Sequence, residues 1–140
     1  MNDFEAKLKK MATGIFSGTP VLFAYFYGSR AVGLGHPFSD LDIGIFVEEI
    51  PPDTGLKLEL SIALEIDKEL GHVLESDVRI INDLPLTVKG KIVTEGILIY
   101  SRQEERRVEF ETWVRNAYFD FLPVIAAYQL TYREMERARS

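Results

Sequence analysis

Asp40 and Asp42 flank a single leucine at the head of an apolar run, LDIGIFV (41–47), and ten residues earlier the pair Gly28-Ser29 closes another, VLFAYFY (21–27). Side chains on a strand alternate with a period of two, so both carboxylates are expected on one face while Leu41 points into the core. Two acids held side by side repel one another, and a cation between them relieves that repulsion. The sequence has no cysteine, which leaves oxygen donors with His36 and His72 as the available ligands and favours a hard cation, most simply Mg²⁺. Gly28 has no Cβ, so a ligand can approach the backbone closely there, and the N–H groups of a turn with the Ser29 hydroxyl suit phosphate oxygens. A triphosphate between this turn and two metal-binding carboxylates is the layout that phosphoryl or nucleotidyl transfer needs, with two metal ions clamping the attacking and leaving oxygens. An Asp-Leu-Asp by itself is more often a solvated strand end. Its fixed distance from Gly28-Ser29 is what gives it meaning.

The elements around these residues must bring the end of one strand beside the start of the next. Both runs are rich in β-branched and aromatic residues and read as strands, the first buried on both faces. The intervening stretch, with Gly33, Gly35 and Pro37, is long enough for a helical turn and a tight return, so the two strands are expected to lie antiparallel. A short helix over 3–12 precedes them. After PPDTG, the LKLELSI stretch alternates like a strand, but the length of 56–70, its helix formers and the Gly71 stop favour a helix. VRIIN (78–82) reads as a third strand, 85–95 as a helix ended by Gly96, and ILIYS (97–101) as a fourth strand. The tail from about 103 to 138 is helical in composition and contains Pro123, so one kinked helix or two are expected. This order predicts an α/β (α+β) sandwich, a small mixed β-sheet flanked by helices. In the tail, Phe110, Trp113, Val114, Ala117, Tyr118, Phe121, Ile125, Tyr128, Tyr132 and Met135 recur at three- and four-residue steps. Such a stripe packs on its own sheet by default, yet it is longer than four strands can cover, which marks part of it as a protein interface.

Composition sets the outer bounds. A chain of 140 residues with 46% hydrophobic and 27% charged residues is expected to form one globular domain. A formal net charge of −6 argues against direct binding of nucleic acid, which basic surfaces usually provide. The N-terminal MNDFEAKLKKMATG has no apolar leader core, and no stretch approaches the length of a membrane span, so a cytoplasmic location without membrane attachment is expected. No G-x-x-x-x-G-K-[ST] is present, and Gly33-Leu34-Gly35 does not extend to a dinucleotide fingerprint.

Gly28-Ser29, ten residues, then Asp40-Leu41-Asp42 resembles the signature of the DNA polymerase β-like nucleotidyltransferase superfamily. Within it the chain is similar to the minimal nucleotidyltransferases, the MNT proteins, and YFDFLP (118–123) is similar to the MntA-type antitoxins of HEPN/MNT toxin–antitoxin systems. The resemblance implies a palm-like nucleotidyltransferase fold in which the Gly-Ser turn holds nucleotide phosphates and the acids bind two Mg²⁺ ions. It also implies a third carboxylate from a neighbouring strand. Asp77, just before VRIIN, is the best candidate, with Glu75 and Asp83 as weaker rivals. Gly28, Ser29, Arg30 and Ser39 are assigned to the nucleotide, and Asp40, Asp42 and Asp77 to metal and catalysis. By the same resemblance the acceptor is a tyrosine of a HEPN ribonuclease toxin, the transferred group is AMP from ATP, and the two proteins form a hetero-oligomer. Two other readings stand beside this one: a non-catalytic antitoxin that masks a HEPN partner, and transfer to a small hydroxylated molecule such as an aminoglycoside. Arg30 and His36 resemble the arginine–histidine pair of HEPN ribonucleases themselves, but Pro37 and two glycines break the helix that pair requires. His72 follows the Gly71 stop and reads as a capping or surface histidine.

Overall fold

The structure, a computed structural model, describes residues 3–28, 31 and 40–139. Its elements run α1 (Asp3–Phe16), β1 (Val21–Tyr27), β2 (Leu41–Val47), a short 3₁₀ turn (Pro52–Thr54), α2 (Gly55–Glu69), β3 (Ser76–Ile80), α3 (Leu86–Glu95), β4 (Ile97–Ser101) and α4 (Glu104–Arg139). The four strands form one sheet in the order β3-β2-β1-β4. β1 pairs antiparallel with both β2 and β4, whereas β2 and β3 run parallel, joined by the α2 crossover. The sheet is therefore mixed and flanked by helices, as the order of elements predicts.

Each face of the sheet has its own apolar layer. On one side Leu8, Ala12 and Phe16 of α1 and Ile62 and Ile66 of α2 pack on Ala24, Phe26, Ile43 and Ile45. On the other, Phe23 and Tyr25 meet Ile92 of α3 and Phe110 of α4. Phe23 stacks on Phe46 with ring centroids 4.6 Å apart and lies 5.5 Å from Phe110. β1, with six of its seven residues buried, is the centre of the molecule. Its burial on both faces explains why it reads as a continuous apolar run rather than an alternating one.

The third strand is shifted two residues toward the N-terminus relative to the sequence expectation, because its backbone is fastened to α2 there. The Ser76 N–H donates to Asp67 Oδ1 at 2.9 Å and the Ile80 N–H to Glu59 Oε2 at 2.8 Å. The tail is a single helix of 36 residues with Pro123 inside it. Its first turns are anchored to the sheet: the Tyr25 hydroxyl donates to Glu111 Oε2 at 2.7 Å, and the Arg107 guanidinium donates to the same carboxylate at 2.9 Å. Lower down, the Tyr118 ring lies against Gly90 of α3 so closely that a Cβ there would overlap it. Val114 is the buried residue of this helix; Phe119, Val124, Tyr128, Leu130, Tyr132 and Met135 are each more than half exposed. The apolar stripe thus packs on its own fold only along its first part. Among the described residues no helix is long and apolar enough to cross a membrane.

Candidate functional site

Asp42 sits at the junction of three strands. In the sheet register it lies opposite Tyr27 of β1 on one side and opposite Asp77 of β3 on the other. The parallel pairing of β2 and β3 starts both strands at the same edge, which is how two acids 35 positions apart in sequence come to be neighbours. Leu41 and Ile43, on either side of Asp42, are fully buried in the α1/α2 layer, so strand alternation turns Asp42 toward the opposite face, the one covered by α3 and α4. Asp40, exposed just ahead of β2, has the same parity.

The electrostatics record this gathering. Asp42 is held above the ordinary carboxylate range, first by burial, then by the charge of Asp77, then by that of Asp40, with Arg79 opposing. Asp77 is itself paired with Arg79, Nε to Oδ2 at 3.3 Å. Tyr27 has its phenol pushed up to about 12, again mainly by burial and then by Asp42. Glu75 is exposed, and its carbonyl accepts the Leu41 N–H at 2.9 Å. Asp83 lies beyond the C-terminal end of β3, whereas the acids stand at the strand starts. Of the three candidates for a third carboxylate, the register therefore brings Asp77 to Asp42.

Gly28 ends β1 with φ +84°, and a Cβ on it would overlap the Asp42 carboxylate. Only glycine meets both demands, the left-handed backbone and the close approach. Its carbonyl accepts the Ala31 N–H at 3.1 Å, which begins the turn. Ser29, Arg30, His36 and Ser39 lie outside the described residues.

Beside Gly28 a hollow of about 260 Å³ opens between the end of β1 and α3, lined by Tyr27, Gly28, Thr87, Val88, Lys91 and Glu95. Sequence reasoning passed over the α3 residues, because a short helix of mixed composition carries no signal of what faces it. Thr87 also lines a larger apolar groove of about 630 Å³ that runs along α4 past Phe121, Ile125 and Tyr128. The two depressions share that wall.

The residues present fit an Mg²⁺ site of the open kind. Among the described residues, no group of three or more acidic or histidine side chains stands close enough together to hold a metal ion, so Asp40, Asp42 and Asp77 do not by themselves form a three-carboxylate site. Mg²⁺ keeps several waters and is usually held by one or two carboxylates together with substrate phosphates, so a cage is not what such a site requires. The donors are all oxygen, and Asp42, raised first by burial and then by the charges of Asp77 and Asp40, carries a repulsion that a divalent ion would relieve.

A family model described as polymerase beta, nucleotidyltransferase, matches residues 9–105. No curated protein matches the chain. Among solved structures, it is similar to a chain of a mutant MntA–HpeT toxin–antitoxin complex, with a TM-score of 0.64 at 16% identity over 97% of this chain and 99% of that one. A chain of a toxin–antitoxin complex with AMP-PNP gives 0.62 at 18% identity, over 94% and 98%. A chain of the complex between the tri-AMPylated HEPN toxin of Shewanella oneidensis and its MNT antitoxin gives 0.61 at 13% identity, over 94% and 98%. At such identities the likeness is one of fold.

Proposed function

The chain belongs to the polymerase beta nucleotidyltransferase family, and we propose that it transfers AMP from ATP to a tyrosine of a HEPN ribonuclease toxin and neutralises that toxin by doing so. The observation that carries this reading is the row Tyr27, Asp42, Asp77 across three strands, with Asp40 beside it and Gly28 pressed against Asp42. Asp40, Asp42 and Asp77 would hold Mg²⁺, which supplies neutralisation of the triphosphate charge and polarisation of the phosphorus under attack.

The protein's own groups do the rest by position. The Gly28 turn, with Ser29, Arg30 and Ser39, receives the phosphates. Asp77 accepts the proton of the acceptor hydroxyl, whose oxygen forms a bond to the α-phosphorus as the bond to pyrophosphate breaks. Little covalent help from the enzyme is needed, so alignment and charge account for most of the acceleration. A protein acceptor is favoured by α4, whose apolar groove meets the hollow beside Gly28 at Thr87. A partner lying along that helix can present a hydroxyl where the nucleotide is held. The solved structures similar in fold include a complex with AMP-PNP and one with an AMPylated HEPN toxin, which favours ATP and a toxin acceptor.

The test is to incubate the chain with a HEPN partner encoded beside it, ATP and Mg²⁺, and to weigh the partner. A mass gain of one or more AMP groups that Asp42→Asn abolishes is the expected result. A partner silenced equally well by Asp42→Asn, with no mass gain, would mean masking instead, and transfer to an aminoglycoside without any partner would mean a small-molecule enzyme.

A further inference from the structure

Lys91 lies one helical turn after Thr87 and one before Glu95 on α3, and all three line the hollow beside Gly28. Among the described residues the Lys91 side chain forms no hydrogen bond or ion pair, although Glu95 stands at the i+4 position where such pairs commonly close. Arg79, the cation whose charge acts on Asp42, is engaged with Asp77. The hollow also offers the Tyr27 ring and Val88 as apolar walls. We propose that this hollow takes part of the nucleotide and that the Lys91 ammonium binds its phosphates, a role that rests on the nucleotidyltransferase reading above.

The physical need is plain from the charges. A triphosphate must settle beside Asp40, Asp42 and Asp77 on a chain of net charge −6. Metal ions would offset part of that repulsion, and a protein cation in the hollow beside Gly28 would offset more. A lysine suits the task, being a compact charge on a four-carbon stem that can follow the phosphates. Glu95, of opposite sign in the same hollow, suits the hydroxyls of the ribose, so the pair discriminates between the two ends of a nucleotide.

The experiment is calorimetric titration of the full chain with ATP and Mg²⁺, and separately with adenosine, for wild type, Lys91→Ala and Lys91→Arg. Lys91 is exposed, so neither substitution should disturb folding, which circular dichroism checks. Lys91→Ala is expected to weaken ATP binding about tenfold, with Lys91→Arg recovering most of the loss and adenosine affinity unchanged. If wild type binds ATP and Lys91→Ala binds it equally well, or loses ATP and adenosine alike, this inference is overturned while the nucleotidyltransferase reading stands. If wild type takes up no nucleotide, both fall together.

Discussion

β1 and the distal part of α4 are both rich in apolar and aromatic residues, yet they end in opposite environments. VLFAYFY is buried along nearly its whole length, whereas Phe119, Tyr128, Tyr132 and Met135 of α4 are more than half exposed. Apolar content does not decide burial; the presence of a neighbour to cover it does. β1 is covered by strands on both edges and helices on both faces, while α4 beyond Ile125 is exposed at every residue described. One region is complete by itself, and the other has the character of a surface awaiting a partner.

This contrast breaks most visibly in the core. Phe23→Ala removes a fully buried ring stacked on Phe46 and is expected to cost about 3–5 kcal/mol, read as a lower urea midpoint at unchanged slope. Tyr128→Ala, at 76% exposure, should stay within ~0.5 kcal/mol of wild type in the same assay. A comparable loss from both would erase the distinction between the two regions.

Next in size is the division of chemistry from docking. Asp42→Asn should lower AMP transfer about a hundredfold or more, measured by partner mass, while leaving co-elution with the partner intact. Replacing Tyr128 and Tyr132 together by alanine should do the reverse: weaker co-elution by about tenfold, with binding of ATP by the isolated chain retained.

A smaller effect concerns pH. Because burial and the neighbouring acids raise Asp42 in the folded state, the folded chain binds that proton more tightly than the unfolded chain. The stability this contributes is present below the unfolded carboxylate range and is lost as pH rises through the folded value. Asp42→Asn should therefore melt slightly higher than wild type at pH 7 without metal, the gap closing as the solution is acidified. Added Mg²⁺ should raise the melting temperature of wild type and not of the variant. A variant that melts lower at pH 7 would argue against mutual repulsion among these acids.

The smallest change expected is from Arg79→Ala. Its ion pair with Asp77 is largely exposed and contributes at most about 1 kcal/mol to folding. Freed of that competitor, the carboxylates should bind Mg²⁺ a little more tightly, seen as a shifted midpoint in the melting titration.

The segment LKLELSI shows why part of the fold was hard to read in the sequence. Apolar residues at every second position from Leu56 to Ile66 look like a strand, but on a helix they divide between two sides. Leu58, Ile62 and Ile66 face the sheet, and Leu56, Leu60 and Leu64 face outward with 67%, 57% and 66% exposure. The pattern alone could not choose, and length did. Pro123 posed a similar ambiguity, since a helix can carry a proline where the carbonyl left without its donor, here that of Phe119, lies on an exposed residue. Asp40, Asp42 and Gly28 were legible because strand alternation and the demands of a turn are local. Tyr27, Lys91 and Thr87 were not, because nothing near them in sequence says that α3 folds back beside the end of β1.

What the sequence determined by itself was most of the strands and helices, the turn of Asp42 away from its buried neighbours Leu41 and Ile43, and the place of glycine at position 28, all consequences of backbone geometry over a few residues. What the tertiary structure decided was which distant groups meet them. The parallel pairing of β2 with β3 put Asp77 beside Asp42, and the end of the sheet left the far part of α4 bare. Register and coverage depend on how the elements pack, and local sequence carries no information about either.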